Sequence, residues 1–370
     1  MRRQICAFGV RSMVFLVCIV VFAPMVGWGQ NSPSVLFVRG ADRSGGFLEA
    51  NNDFGRTEQL ADINNASTSG GNHGWNSLRL VLEGAGFVVS QIIEPLEAGA
   101  PSTGQTTGAG IAFELMDLNL YDVIVFASNN AVYTTQSVDA VESYIRGGGG
   151  AIFISDANFG SDWADASNSD QQFLERFGFI AHQDRGTYSI ERSTGDFLIP
   201  NHPIFDGVDR FDGEGVTPIR VETPTAGVSP SILALAEGQT RLNNGSGGNN
   251  QGSSRAAGPN DAVLLYADVD QGRLIGHFDR NTFFNQNGAG TNINRFDNTQ
   301  FAINLFTAAA GPPAPLLGDV DLSGFVNFGD IAPFIAILGS GGFQAEADCD
   351  QNGVFDFLDI SPFIDILFGL

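Results

Sequence analysis

The densest chemistry in this sequence lies at its end. Asp319, Asp321, Ser323, Asn327 and Asp330 fall at positions 1, 3, 5, 9 and 12 of one stretch. Asp348, Asp350, Asn352, Asp356 and Asp359 repeat that spacing in a second stretch. Oxygen donors spaced in this way around a tight loop converge on one point, and position 7, here Phe325 or Val354, adds a backbone carbonyl. Glycine at position 6, Gly324 or Gly353, permits the sharp turn. A hard cation such as calcium takes about six to eight oxygens at about 2.3–2.6 Å. The pattern therefore predicts two Ca2+ sites. Residues 318–370 contain no arginine, lysine or histidine. Without a cation the crowded carboxylates have no counter-charge, so metal binding and folding of this stretch are expected to be coupled.

Elsewhere the chemistry-bearing residues are scattered. Asp156 follows the apolar run Ala151–Ile154 and is a candidate base or ligand, with capping of the next turn as its alternative. Asp42, after the run Val35–Val38, has the same two readings. His202 precedes Pro203 and either lines a pocket or orders its loop. His277, Asp279 and Arg280 close the run Arg273–His277 and either contact a ligand or fix a loop. The catalytic candidates are Asp156, His202 and Asp279; the ligand-binding candidates are Asp42, Trp163, His277 and Arg280. Asp42, Asp156, His202 and Asp279 are expected to line one cleft. Trp163 sits in a polar stretch suited to stacking on a sugar, whereas the spacing of Trp75, Leu78 and Leu82 places Trp75 in a core.

Several chemistries are excluded by composition. The chain of 370 residues carries 18 basic and 41 acidic residues, a formal charge of -23, and every basic residue is arginine. Without lysine there is no Walker-type phosphate loop, Schiff-base enzyme or protein kinase. An acidic chain is also a poor partner for nucleic acid. Residues 1–29 read as a secretory leader: Arg2, Arg3 and Arg11 precede an apolar run from Met13 to Val26, followed by small residues at Gly27 and Gly29. No later stretch is long and apolar enough to span a membrane. Cys6 and Cys18 lie in the leader, leaving Cys349 alone and no internal disulfide. Cys349 either points away from its loop or offers a surface thiol to another chain.

Residues 30–310 alternate buried-type strands with helical patterns. Strands are expected at Val35–Val38, Phe87–Val89, Asp122–Ala127, Ala151–Ile154, Ala262–Tyr266 and Arg273–His277. Helices are expected at 75–83, 137–146 and 298–308. This predicts an α/β fold, a flavodoxin-like, mostly parallel sheet with helices on both faces, whose ligands bind beyond the carboxyl ends of the strands. The four glycines Gly147–Gly150 follow a helix and precede a strand, the wrong polarity for a dinucleotide loop, and are expected to end the helix. A proline-rich linker, 311–317, leads to the acidic segment 318–370.

That segment resembles a type I dockerin, a small all-α module of paired half EF-hand calcium loops. The resemblance implies two bound Ca2+ ions and a cohesin-like or other surface receptor as partner, engaged at the loop ends and following helices. Those places here hold Phe328-Gly329 and Phe357-Leu358. The larger region resembles the class I glutamine-amidotransferase-like fold, in its trehalose-utilisation branch, through Val35–Gly40, Tyr121–Ser128, Tyr144–Asp156 and Asn201-His202-Pro203-Ile204. The turn where that family places its nucleophile, Asp156–Gly160, has no cysteine, which excludes thiol-based glutamine hydrolysis. Together these readings predict a secreted or cell-surface bacterial protein. Its calcium-binding module tethers a degenerate domain that binds carbohydrate. The alternative is an extracellular hydrolase of glycosidic bonds in polysaccharide breakdown, delivered by that module.

Overall fold

The computed structural model describes residues 32–39, 43–44, 57–58, 61–66, 74–94, 108–127, 131–155, 169–181, 187–214, 216, 218–235, 240–241, 260–285, 291–311, 317–323, 326–350 and 352–368. Contacts divide the chain after Pro313, with Asn31–Pro313 forming one compact unit and Ala314–Leu370 belonging to another.

The first unit is built on a nine-stranded sheet. Its leading strands are β1 (Ser34–Arg39), β2 (Val88–Ile93), β3 (Val123–Phe126) and β4 (Gly150–Ile154). The later strands are β5 (Phe179–Ala181), β8 (Ile219–Val221), β9 (Val228–Leu235), β11 (Asp261–Val269) and β12 (Gly272–His277). Strands β6 (Thr187–Glu191), β7 (Arg210–Glu214) and β10 (Thr240–Arg241) form a separate antiparallel sheet.

The order β2-β1-β3-β4-β12 is parallel throughout. Beyond β12 the sheet turns antiparallel, through β11 to β8 and β5, with β9 also on β11. The expected mostly parallel sheet therefore holds for one half only. The cause is local: β11 and β12 are joined by just Asp270 and Gln271, with Asp270 at φ 50°, and so short a turn can only return the chain antiparallel.

Continuous apolar strands feed two cores. In β1, Val35 and Phe37 enter one and Leu36 and Val38 the other; β3 and β4 alternate in the same way. Helices α1 (Asn76–Gly84) and α4 (Asn298–Ala310) pack on the first face through Leu78, Leu82, Phe301 and Leu305. Helices α2 (Thr135–Arg146) and α3 (Ser169–Leu174) pack on the second through Val138, Val141, Phe173 and Leu174. Helix α2 begins where the Thr134 hydroxyl accepts the Ser137 N–H at 3.1 Å, a side-chain cap. It stops at Gly147, and Gly148 turns left-handed at φ 123°, so the glycine run does end a helix. At Gly150, which opens β4, a Cβ would lie 2.2 Å from the Ala309 carbonyl oxygen, so only glycine fits there.

The regular structure of the second unit is two helices, α5 (Ile331–Ser340) and α6 (Ile360–Phe368), each entered through a single 3-10 turn. Its core pairs equivalent residues of the two repeats: the Phe334 and Phe363 rings stack at 4.1 Å, and Val320 and Cys349 are both buried. Cys349 thus points away from its loop, into the core, and is not a surface thiol. It occupies the place of Val320 and acts as a small apolar side chain. Burial, with Asp359 beside it, pushes its pKa up to about 12.

Candidate functional site

Each repeat gathers three carboxylates. Oxygens of Asp319, Asp321 and Asp330 lie within 4.8 Å of one another, as do those of Asp348, Asp350 and Asp359. These are positions 1, 3 and 12 of both loops. The position-12 residues Asp330 and Asp359 are wholly buried, while Asp321 and Asp350 face solvent. Asp330 accepts the Asp321 N–H at 3.0 Å and the Asn327 N–H at 2.8 Å. Asp359 accepts the Asp350 and Asp356 N–H groups at the same two distances. Both repeats therefore have one geometry, in which the buried carboxylate ties the loop to the start of its helix.

The other loop positions divide. The Ser323 N–H donates to Asp319 at 2.9 Å and to Asp321 at 3.0 Å. The Asn352 N–H does likewise to Asp348 at 3.2 Å and Asp350 at 3.1 Å. Side-chain hydrogen bonding to Ser323 holds the Asp321 carboxyl below its ordinary pKa. Position 9 behaves differently. Asn327 accepts the Gly329 N–H and Asp356 the Leu358 N–H, both at 2.7 Å, so these side chains cap the helix starts. Gly353, at φ 82°, makes the turn expected of position 6. Val354 is exposed, and Phe325 lies outside the described residues.

A second cluster lies at the carboxyl edge of the parallel strands. Strand order reverses between β1 and β3, the place where such sheets bind ligands. Arg39 ends β1 and Glu94 follows β2, and both are almost wholly buried. The Arg39 Nε lies 3.8 Å from Asp62, and desolvation lowers the Arg39 pKa. Glu94 accepts a hydrogen bond from the Tyr133 hydroxyl. The Arg280 guanidinium donates to the Ala127 carbonyl just past β3 at 3.4 Å, and Trp75 Nε1 donates to the Arg280 carbonyl at 3.3 Å. Ser155, after β4, is wholly buried and its hydroxyl has no hydrogen-bond partner among the described residues. Arg39, Glu94 and Tyr133 were missed from the sequence. The available signal was a polar residue set directly after an apolar run.

His277 and Asp279 do not face an open cleft. His277 is fully buried, with Phe278, Phe283 and Phe301 rings at 5.1, 5.2 and 5.3 Å. The Thr282 hydroxyl gives its one proton to the Asp212 carbonyl at 2.8 Å, so it accepts from His277 Nε2 at 2.9 Å. That places a proton on Nε2, and desolvation, which pushes the pKa down to about 3, keeps the ring neutral. Asp279 is buried and accepts the Asn281 N–H at 2.9 Å, an Asx turn.

His202 accepts the Ile204 N–H through Nδ1 at 3.3 Å, and its ring lies 5.1 Å from Tyr266. Desolvation lowers its pKa against the nearby charges of Asp268 and Asp206. Tyr266 pairs with Ile275 near the middle of β12, so His202 lies beside the strand's middle, whereas Asp279 follows its end. Asp42, Asp156 and Trp163 lie outside the described residues.

The network beneath His277 was also missed. Asp212, on β7, accepts Asn298 Nδ2 at 3.0 Å and Thr291 Oγ1 at 3.3 Å, and lies 3.0 Å from Arg295 Nε. Burial outweighs these partners and raises its pKa to about 6. Nothing in its local sequence, Phe211-Asp212-Gly213, marks it as buried.

No helix among the described residues is long and apolar enough to cross a membrane. No family model and no curated protein matches the sequence. Among solved structures, the mmIFT52 N-terminal domain aligns with 75% of this chain and 98% of its own, at 10% identity and a TM-score of 0.44. A ThuA-like protein from Parabacteroides merdae aligns with 75% of this chain and 90% of its own, at 11% identity and a TM-score of 0.40. Another, from Bacteroides uniformis, aligns with 75% and 91%, at 14% identity and a TM-score of 0.37.

Proposed function

We propose that this is a secreted or cell-surface protein in which a dockerin-like module binds two Ca2+ ions and tethers an α/β domain to a receptor. The observation that carries this reading is the duplicated carboxylate trio, each within 4.8 Å and bonded identically to its own loop. Three carboxylates in a loop without a cationic side chain suit a hard divalent cation. Asp319, Asp321 and Asp330 would hold one ion and Asp348, Asp350 and Asp359 the other, with Ser323 and Asn352 beside them. The partner surface follows from exposure. Phe328 and Phe357 are 69% and 76% exposed at equivalent positions, and Leu358 is also exposed. A cohesin-like or other surface receptor offering an apolar face rimmed by basic residues would complement them.

The tethered domain is proposed to bind a polar ligand of the carbohydrate class at the carboxyl edge between β1 and β3. Arg39 at the end of β1 and Glu94 just after β2 are the polar side chains at that edge, which supports this reading. Calorimetric titration of calcium into the chelator-treated chain tests the tether. Two binding events with a gain of helicity are expected, and Asp348→Asn with Asp350→Asn should remove one. No heat at millimolar calcium would end this reading.

A further inference from the structure

We infer that the β2 edge of the large sheet is an interface between two copies of this chain. Strand β2 ends the sheet and pairs with β1 alone among the described strands. The Val88 N–H donates to Pro33 and the Glu94 N–H to Arg39, so the even-numbered residues of β2 face β1. The N–H and C=O groups of Val89, Gln91 and Ile93 point the other way, and no hydrogen bond engages them among the described residues. An open row of this kind is a template for another strand. Proteins usually blunt such an edge with lysine, proline or a bulge. Val88-Val89-Ser90-Gln91-Ile92-Ile93 contains no charge and no proline, and its register with β1 is continuous. Val88 and Ile93 are 58% and 49% exposed, and Leu80 on the adjoining α1 is exposed too.

The strand's own pattern selects a second copy as occupant. A two-fold axis normal to the sheet keeps each face on the same side, so opposed residues must be both odd-numbered or both even-numbered. Centred on Ser90, it sets Val89 against Gln91 as a hydrogen-bonded pair using the outward groups. On the other face it sets Val88 against Ile92 and Ser90 against its own copy. On that face apolar Val88 meets apolar Ile92, and no like charges oppose anywhere in the register.

Light scattering after size exclusion of the chain from Gln30 onward, at tens of micromolar, is expected to give twice the monomer mass. Val88→Lys, at an exposed position, sets a charge against Ile92 and should return the monomer with an unchanged circular dichroism spectrum. Ser90→Cys with Cys349→Val should form an inter-chain disulfide on mild oxidation, because a non-hydrogen-bonded antiparallel pair brings Cα atoms to about 4.5 Å. A monomeric parent chain overturns the inference. So does a dimer that survives Val88→Lys, or a dimer whose Ser90→Cys form does not cross-link.

Discussion

In the C-terminal unit, three carboxylates gather in each loop within a stretch that has no basic residue. In the α/β unit, carboxylates are shared out. Asp261 meets Arg220 at 2.7 Å, Asp212 meets Arg295 at 3.0 Å, and Asp62 lies 3.8 Å from Arg39. The second pattern is how buried charge is ordinarily tolerated, one ion against another with hydrogen bonds around both. The first leaves like charges bunched, which a protein sustains when a cation arrives from outside. Uncompensated charge thus points to a ligand, and compensated charge points to packing. His277, Asp279 and Arg280 belong to the packed class, although in sequence they resemble a site.

The sharpest way to test this contrast is to damage one unit and watch the other. Phe334→Ala removes the ring stacked on Phe363 at the centre of the small core, which should cost about 3–5 kcal/mol. In denaturant the transition of the C-terminal unit should shift alone. Excess calcium should recover part of the loss through linkage. A simultaneous shift of the α/β transition would show that the units do not unfold independently.

Next in size is Asp212. Its pKa rises from 3.8 to about 6 on folding. A raised carboxyl pKa means the folded state holds the proton more tightly. The stabilisation is therefore complete below about pH 4 and is lost as pH rises through 6. The change is on the order of 3 kcal/mol, since each pKa unit is worth about 1.4. Most carboxylates run the other way, so the comparison is with Asp212→Asn across pH. The parent's advantage should shrink from about pH 4 to pH 7. The Arg295 ion pair forms only as Asp212 ionises, and its effect is already contained in that pKa. A pH-independent difference would show that Asp212 is ionised throughout and belongs with the freely solvated acids.

Regular spacing is what made parts of this molecule legible. Strands β1, β3, β4 and β12 read directly as apolar runs, and α1 and α2 as repeating apolar faces, because both signals are local. The two carboxylate trios were legible for the same reason, each lying within 12 consecutive residues. The antiparallel half of the sheet was not, since β5, β8 and β9 are short or only partly buried and their pairing depends on distant partners. Asp212 was hidden for a related reason. Thr291, Arg295 and Asn298, which hold it, lie some 80 residues along the chain. The sequence left both readings of His277 open, because closeness to a strand end does not reveal whether aromatic rings close over it.

The helix caps offer a smaller test. Asn327→Ala and Asp356→Ala each remove a side chain that accepts a backbone N–H at 2.7 Å. Each should cost about 1 kcal/mol in the metal-free state. If these side chains also serve as ligands, the loss should grow once calcium is present, and calorimetry would show weaker binding. A cost unchanged by calcium would confine position 9 to capping.

The smallest effect is expected at Cys349, and it tests how alike the two repeats are. Cys349 stands where the first repeat has Val320, and both face the core formed by Phe334 and Phe363. Cys349→Val should therefore change stability by about 1 kcal/mol or less, as near-isosteric core exchanges do. The same placement governs reactivity. Burial raises the pKa of the thiol, so little of it is thiolate at pH 8, and the thiolate is the reactive form. Iodoacetamide should label the folded chain slowly and the unfolded chain fast. Rapid labelling of the folded chain would place the thiol at the surface, and the equivalence of the two repeats would then stop at their metal loops.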